Sequence, residues 1–506
     1  MHKKIYIALL ILLSSVSCTD FLEVDPANEI VIKDVADVKG TMALYLSGAV
    51  DPFTSTDVRQ TKVNFLPSWI TTQQLGLFQS DELDSELFPS MGYALYTQMQ
   101  AQYVQGVRWQ QIDRHTTLWN EGYAAIGFCN QILKELGNAS GKEADKQIIE
   151  GEARTIRVWN AFKLLQFFCV YDNNDYGIPL NLDADNVTGY KGLRWTQSDL
   201  YDFFIEELNE VLQFDVKPEE DYNIFFNKYV IHSLLANIYQ FKALSAAQES
   251  SDWENARLNA VEVLEKISIV SEQDDYLNLF KQDNTASVLH KNNPHALLVF
   301  YWGRKSNISH SNIWGKPLAG RLDNAMPATE ELVSLFEEGD IRYWKDSPPS
   351  RDYNYNGAFI FHNIENERKF ICKYPYDRYR VNNETYAMFR AEEMHLIIAE
   401  AYARTNQTTE ATQWLDEFKQ AKNTDAYSST DVLEEIMNER RKEFLAEHEM
   451  RWLDMKRTNH TVTRKFNDSE LGEVSLTLEP DDYRYAFMIP NRELTYNLDL
   501  KQNPNW

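Results

Sequence analysis

The stretch TYAMFRAEEMHLIIAEAYARTNQTTEATQWLDEFKQAK, residues 385–422, decides the fold. Apolar residues recur in it at helical spacing on both sides of a short polar break. It therefore predicts two helices, Thr385 to Arg404 and Thr409 to Lys422, joined by a tight turn. Ala399 and Tyr402 on the first helix are followed by Ala411 and Leu415 on the second. Small residues let paired helices approach closely, and the tyrosine fills the groove between them.

The same order of small, aromatic, alanine and large residues returns upstream. Ala236 and Tyr239 precede Ala256 and Ala260, with a turn eight residues longer. Both copies match the tetratricopeptide helical hairpin, which predicts a mainly α fold built as an α-solenoid scaffold rather than a closed bundle. Composition agrees, because Gly 19 and Pro 15 in 506 residues fall well below the usual total of about 12%. Further helices are predicted at Thr116 to Leu136 with Gly137 as its stop, Ile148 to Phe168, Asp199 to Leu212 with Ser198 as N-cap, Lys228 to Ala247, Trp253 to Ile267 and Asp431 to Arg457. Trp119, Trp159, Trp195, Trp414 and Trp452 sit on these helices or their approaches and read as packing.

The 50 basic and 76 acidic residues give a net charge of -26, which repels phosphate backbones and argues against a nucleic-acid partner. With 43% hydrophobic residues the chain can bury a core, so disorder is excluded. Four cysteines make no disulfide framework, and no Cys/His cluster has zinc spacing. Cys129 and Cys169 lie in apolar helical contexts as small buried hydrophobes, while Cys372 sits in the strand-like FICKYPY.

The first residues set an address. Lys3 and Lys4 precede an apolar run from Ile5 to Leu13, too short to span a bilayer but suited to a signal-peptide core. Ser15-Val16-Ser17-Cys18 follows, with Ser15 where Leu is commoner. The order resembles a bacterial lipoprotein signal, in which residues 1–17 are removed and Cys18 is acylated. The alternative is an ordinary secretory signal with a cysteine beyond it. Residues 18–28 are then a polar tether, and a multiply acylated cysteine is a membrane anchor.

Two regions depart from helical patterning. Residues 60–115 are irregular and rich in Trp, Tyr and Gln. Residues 269–380 mix short apolar runs (Ala296 to Trp302, Phe359 to Phe361, Phe370 to Tyr374) with Asn-, Pro- and Gly-rich turns. Long loops in a compact protein tend to be functional. Sugars carry apolar C–H faces and hydroxyl rims, so a site for them combines aromatic planes with amide and acidic acceptors. Trp69, Tyr93, Tyr96 and Trp109 have Gln73, Gln74, Asp81 and Gln110 around them, and Tyr301, Trp302 and Trp314 have Arg304, Asn307 and Asn312. These seven aromatics are the candidate ligand platforms, expected to share one groove.

Residues 438–457, NERRKEFLAEHEMRWLDMKR, are dense in charge. Glu447 and Arg451 stand in the favourable i,i+4 order, and Glu443 and Glu447 would repel unless a cation such as Arg440 joined them. A carboxylate pair could suggest glycosidase chemistry; the preferred reading is an ionic lattice that fixes the helix against its neighbours. No nucleophile elbow, His-Glu-x-x-His or Gly-rich phosphate loop occurs. Asn181 to Asn186 faintly suggests a calcium loop, but Asn186 and Gly192 replace its required Gly and Glu, so no metal or other cofactor is expected.

Together, CTDFLEVDP from Cys18, the 438–457 segment, and FMIPNREL from Phe487 with Gln502-Asn503-Pro504 behind it resemble the SusD/RagB family of outer-membrane nutrient-binding lipoproteins of Bacteroidetes. Gly151-Glu-Ala-Arg154, Gly177-Ile-Pro-Leu180, Arg390-Ala-Glu-Glu-Met394 and Ala399-Glu-Ala401 fit as well. The resemblance implies tetratricopeptide-like hairpins carrying an irregular ligand-binding lobe, with an N-terminal region over 29–268 and a C-terminal region over 269–506. It also implies a partner, a SusC-like TonB-dependent outer-membrane barrel that the lipid-anchored, surface-facing protein caps. Its motifs are scaffold residues and transfer no binding site. The function expected is non-catalytic capture of an oligosaccharide; the alternative is a peptide or other nutrient on the same scaffold.

Overall fold

The structure is a computed structural model. It describes residues 32–50, 76, 78–84, 105–110, 113–186, 192–214, 226–280, 294–302, 316–318, 321–324, 328–344, 360–363, 368–371, 373, 384–447, 449–468 and 472–506, some within helices and strands by backbone alone. Cys18, Cys372, Trp69, Tyr93, Tyr96 and Trp314 lie outside them.

Helices dominate. After α1 (Val35–Val50) come α2 (Asp113–Asn138), α3 (Glu143–Phe168), α4 (Gln197–Leu212), α5 (Lys228–Lys242), α6 (Asp252–Leu264) and α7 (Gln273–Phe280). Each helix from α2 to α6 packs on the next, as stacked hairpins do. Among the described residues no helix is long and apolar enough to cross a membrane. Helix α4 begins two residues earlier than its pattern suggested. Its cap is Thr196 rather than Ser198, because the Thr196 hydroxyl accepts the Asp199 N–H at 3.1 Å. Gly137 does not stop α2, which runs on to Asn138. Helix α5 ends at Lys242, short of Ala247.

Both hairpin motifs fold as their spacing predicts. Ala236, Ala256, Ala260, Ala399, Ala411 and Leu415 are buried to the last atom. Helix α6 packs directly on α9 (Ala391–Arg404), which pairs with α10 (Thr408–Ala421), so the two hairpins are neighbours in space. Arg257 of α6 lies 5.3 Å from the Tyr402 ring of α9 and ties the copies together. The whole segment between them is therefore an excursion from a continuous scaffold.

That excursion carries the short strands β1 (Ala296–Trp302), β2 (Lys316–Leu318) and β3 (Arg321–Asn324), then the short helix α8 (Glu330–Ser334). Strands β4 (Tyr343–Trp344), β5 (Ile360–Asn363), β6 (Arg368–Ile371) and β7 (Glu384–Arg390) follow. Residues 385–390 are a correction to the predicted helix. They form β7, antiparallel to β1, with Leu297 opposite Phe389 and Val299 opposite Ala387. Thr, Tyr and Phe favour a pleated, half-buried surface, and Ala387 and Phe389 are buried on alternate positions. The chain turns helical only after Arg390.

The predicted helix Asp431 to Arg457 is likewise two, α11 (Val432–Glu443) and α12 (Met450–Arg457). Asp431 caps the first by accepting the Leu433 and Glu434 N–H groups at 3.0 Å. Between them Ala446 adopts φ 57°, a left-handed conformation that costs an L-residue about 1–2 kcal/mol. The hairpin β8 (Val462–Asp468) and β9 (Gly472–Leu478) and helix α13 (Asn491–Tyr496) complete the chain.

The C-terminal tail is stitched to the scaffold. Arg194 donates to the Gly177 carbonyl (2.6 Å) and to Asn503 Oδ1 (2.7 Å), and Asn503 in turn donates to the carbonyls of Phe168 and Phe487. A Cβ on Gly177 would stand 2.3 Å from the Trp195 carbonyl oxygen, so only glycine fits there. Cys129 and Cys169 are free and buried. Trp119, Trp159 and Trp452 are buried, and Trp195 and Trp414 pack against the core.

Candidate functional site: the junction of two irregular regions

Eleven charged side chains between residues 438 and 457 are buried. The sequence places them near one another along a helix; some pair within the segment, as Glu439 does with Lys442 and Asp454 with Arg457, while others find partners far away in the chain. Arg390, at the end of β7, donates to Glu447 (2.9 and 2.6 Å), Glu443 (2.7 Å) and Glu392 (2.9 Å). Lys373 bonds the Glu443 carbonyl at 2.5 Å and pairs with Glu447. Arg342 reaches Glu439 (2.8 Å) and Glu443 (3.3 Å). The two glutamates thus share cations, as the lattice reading requires. The cation is not Arg440, which pairs with Asp454 instead (3.0 Å). Arg451 does not pair with Glu447 either; it grips Asp81 with two bonds of 2.7 and 2.6 Å.

Those pairings set the carboxyls' acidity. Burial alone would raise Glu443, but Lys422, Arg390 and Arg342 outweigh it and hold the group far below the ordinary range. Burial likewise opposes Glu439 and Glu400, yet Arg342 beside the first and Arg457 beside the second bring each to about 2. Lys373 is pushed down to about 8 by burial, against the pull of Glu447. Charges so completely paired fix architecture.

The lattice clamps the base of the first irregular region. Asp81 receives Arg451, and its backbone carbonyl accepts from Arg441 at 3.1 Å. Arg464 on β8 donates to the carbonyls of Phe78 (2.7 Å) and Val107 (3.0 Å), joining both described pieces of that region. The second irregular region arrives at the same place. Leu83 bridges Ala328, the Thr329 N–H donates to the Glu82 carbonyl at 3.1 Å, and the Thr329 hydroxyl donates to the Asp81 carbonyl at 3.2 Å. The described ends of the two regions are thus hydrogen-bonded to each other.

Glu82 at this junction is an exception to that low acidity range, as is Glu393 beside Arg440. Burial, with Asp81 beside it, raises the Glu82 carboxyl to about 7. The native state then holds this proton at pH values where the unfolded chain, titrating near 4.3, has lost it, so this group's stabilisation falls as pH rises between the two values. Glu82→Gln preserves an acceptor for the Ala446 N–H, now 3.2 Å from the carboxylate, and abolishes the buried charge. It should raise stability by about 3–4 kcal/mol at about pH 8, with the gain shrinking toward zero near pH 4. Urea denaturation across that range measures it, and a gain independent of pH would contradict the assignment.

The candidate platforms fall out unequally. Trp69, Tyr93, Tyr96 and Trp314 lie outside the described residues, and Tyr301 and Trp302 are described as backbone at the end of β1, opposite Thr385 and Glu384. Trp109 is corrected from exposed platform to core. Its ring is 2% exposed, its N–H donates to the Gln79 carbonyl at 2.8 Å, and Arg464 and Arg484 lie 5.0 and 5.5 Å from its centroid. Asp81 is corrected too, from ligand acceptor to buried ion-pair partner of Arg451. Among the described residues no group of three or more His, Cys, Asp or Glu could hold a metal ion.

With this geometry in hand, the chain can be set beside known proteins. A family model described as "SusD family" matches residues 324–506, and one described as "Starch-binding associating with outer membrane" matches residues 20–240. A SusD-like carbohydrate binding protein from Bacteroides vulgatus shares the fold with a TM-score of 0.67 at 18% identity, over 92% of this chain and 97% of that one. A putative sugar binding protein from the same species gives 0.68 at 19% identity, over 94% and 100%. A SusD superfamily protein from Bacteroides thetaiotaomicron gives 0.67 at 18%, over 93% and 100%. No curated protein matches the chain. Two SusD-type family models, which together match residues 20–240 and 324–506, lead to one assignment: this chain belongs to the SusD family.

Proposed function

We propose that this protein is a cell-surface lipoprotein that captures an oligosaccharide without catalysis and hands it to a SusC-like TonB-dependent outer-membrane barrel. The observation that carries the reading is the junction at Leu83 and Ala328. It joins residues 81–83 of the first irregular region to residues 328–329 of the second, and both regions alternate Trp and Tyr with amides, a composition suited to a sugar. The buried lattice beneath supports a rigid platform, and preorganisation lowers the entropic cost of binding. The names of the similar proteins, carbohydrate binding and sugar binding, point the same way, as does the outer-membrane association in the family description. Trp69, Tyr93, Tyr96, Tyr301, Trp302 and Trp314 remain the platforms in this reading, without Trp109.

Electrophoresis through gels containing neutral polysaccharides tests it. The wild-type protein should be retarded by at least one of them. Trp302→Ala should lose most of that retardation, since truncating an aromatic anchor costs about 2 kcal/mol or more of binding. Retardation by none of them would reject glycan capture, and full retardation of the variant would remove Trp302 from the site. The anchor is tested separately: Cys18→Ala should abolish acyl labelling and membrane fractionation, and unchanged fractionation would defeat the lipoprotein reading.

A further inference from the structure

A concavity of about 530 Å³ lies between α2, the loop 179–184 and the C-terminal residues 493–500, and no residue lining it belongs to the two irregular regions. Its volume is that of a small-ligand site. Its walls are pinned: the Tyr123 hydroxyl donates to the Pro179 carbonyl (2.7 Å), and Asn130 donates to the Asn181 carbonyl (2.8 Å). Tyr496 stands on one side with its ring 70% exposed. Arg492 lies 5.6 Å from the ring centroid.

The polar groups are acceptors and amides. Asn497 donates through Nδ2 to the Gly192 carbonyl at 2.9 Å, while its Oδ1 is shut off from solvent with no partner among the described residues. Asn120, Asp183 and Glu493 add further acceptors, and no lysine or arginine lines the cleft among the described residues. Phosphate, sulfate or uronate groups would meet negative charge there. A neutral, hydroxyl-rich ligand meets acceptors for its O–H groups and an aromatic plane for its C–H face.

We propose that this cleft is a second carbohydrate contact that takes a neutral oligosaccharide, with Tyr496 as its platform and Asn120, Asp183 and Glu493 as acceptors for sugar hydroxyls. The inference rests on the glycan-capture reading above. Two contacts on one chain would hold a long glycan far more firmly than either alone, because binding at the second becomes intramolecular.

Calorimetric titration of the full mature chain with malto-, xylo-, manno- and cello-hexaose tests it. The wild-type protein should bind two equivalents of at least one hexaose. Tyr496→Ala and Glu493→Ala should each weaken one equivalent at least tenfold, and Trp302→Ala should leave that equivalent intact. The exposed ring makes Tyr496→Ala an otherwise mild change, so its melting temperature should stay near wild type. A single equivalent lost in Trp302→Ala and untouched in both cleft variants would overturn the second contact while upholding glycan capture at the junction. A cleft equivalent that persists while Trp302→Ala changes nothing would uphold the cleft and reject the junction. Binding of no hexaose would overturn both. Leu182, Leu193 and Leu498 are also exposed beside these lining residues; release of Tyr496→Ala from its membrane assembly with hexaose binding unchanged would assign the face to protein docking and overturn the proposal.

Discussion

Arg390→Ala should destabilise the protein by about 3–5 kcal/mol, the loss typical of breaking a buried charge network from one side. The arginine is 1% exposed and bonds three carboxylates at once. Removing it leaves Glu443 and Glu447 near each other with only Lys373, Arg342 and Lys422 to offset them. The Phe444 ring, 5.0 Å from this guanidinium and 5.4 Å from that of Arg440, loses one of its two cationic partners as well. Chemical denaturation measures the loss. Adding Glu447→Gln to Arg390→Ala should recover part of it, because one uncompensated charge is then gone, and a double-mutant cycle would show coupling of more than about 1 kcal/mol. A loss below about 1 kcal/mol for Arg390→Ala alone would mean that the lattice is solvated and contributes little.

Trp109→Ala should cost about 3–5 kcal/mol, as truncating a buried tryptophan does. The loss has three sources: a cavity where the ring was, an orphaned Gln79 carbonyl, and two guanidinium groups, those of Arg464 and Arg484, deprived of their aromatic face. Trp109→Phe should cost less, since it restores the ring though not the N–H. The melting temperature of the alanine variant should fall clearly, the reverse of what an exposed sugar platform predicts. A melting temperature near wild type with weakened glycan binding would return Trp109 to the ligand site.

The scaffold was legible because a helical hairpin repeats its small and aromatic residues at fixed spacing, and burial then follows the period. Ala236, Ala260, Ala399 and Leu415 are in the core for that reason. Residues 385–390 were misread because apolar residues on a short strand can also satisfy a helical period, and only the pairing with β1 decides. The break at Ala446 carries no Gly, Asn or Pro to announce it. It is imposed by tertiary charge pairing, with Glu443 and Glu447 reaching Arg390 and Lys373 from either side of the bend.

Charge partners were legible in kind and not in identity. The density of Glu and Arg in residues 438–457 marks a lattice, but local spacing favours i,i+4 pairs, whereas the bonds formed span 57 positions to Arg390 and 370 to Asp81. Trp109 fails for a related reason. Neighbouring amides mark a sugar platform only where the ring is exposed, and here two arginines from distant segments, 464 and 484, enclose it. The cleft beside Tyr496 had no sequence signal, since α2, the loop 179–184 and the C-terminal residues meet through bonds between distant positions, those of the tail to Arg194 and Phe168 and those of Tyr123, Asn130 and Asn497.

Glycan capture is tested most directly by calorimetric titration of the mature protein with neutral oligosaccharides beside peptides of matched length. Glycan capture predicts saturable heat with at least one oligosaccharide, none with the peptides, and an affinity at least tenfold lower in Trp302→Ala. Saturable binding of peptides with no response to any oligosaccharide would contradict it.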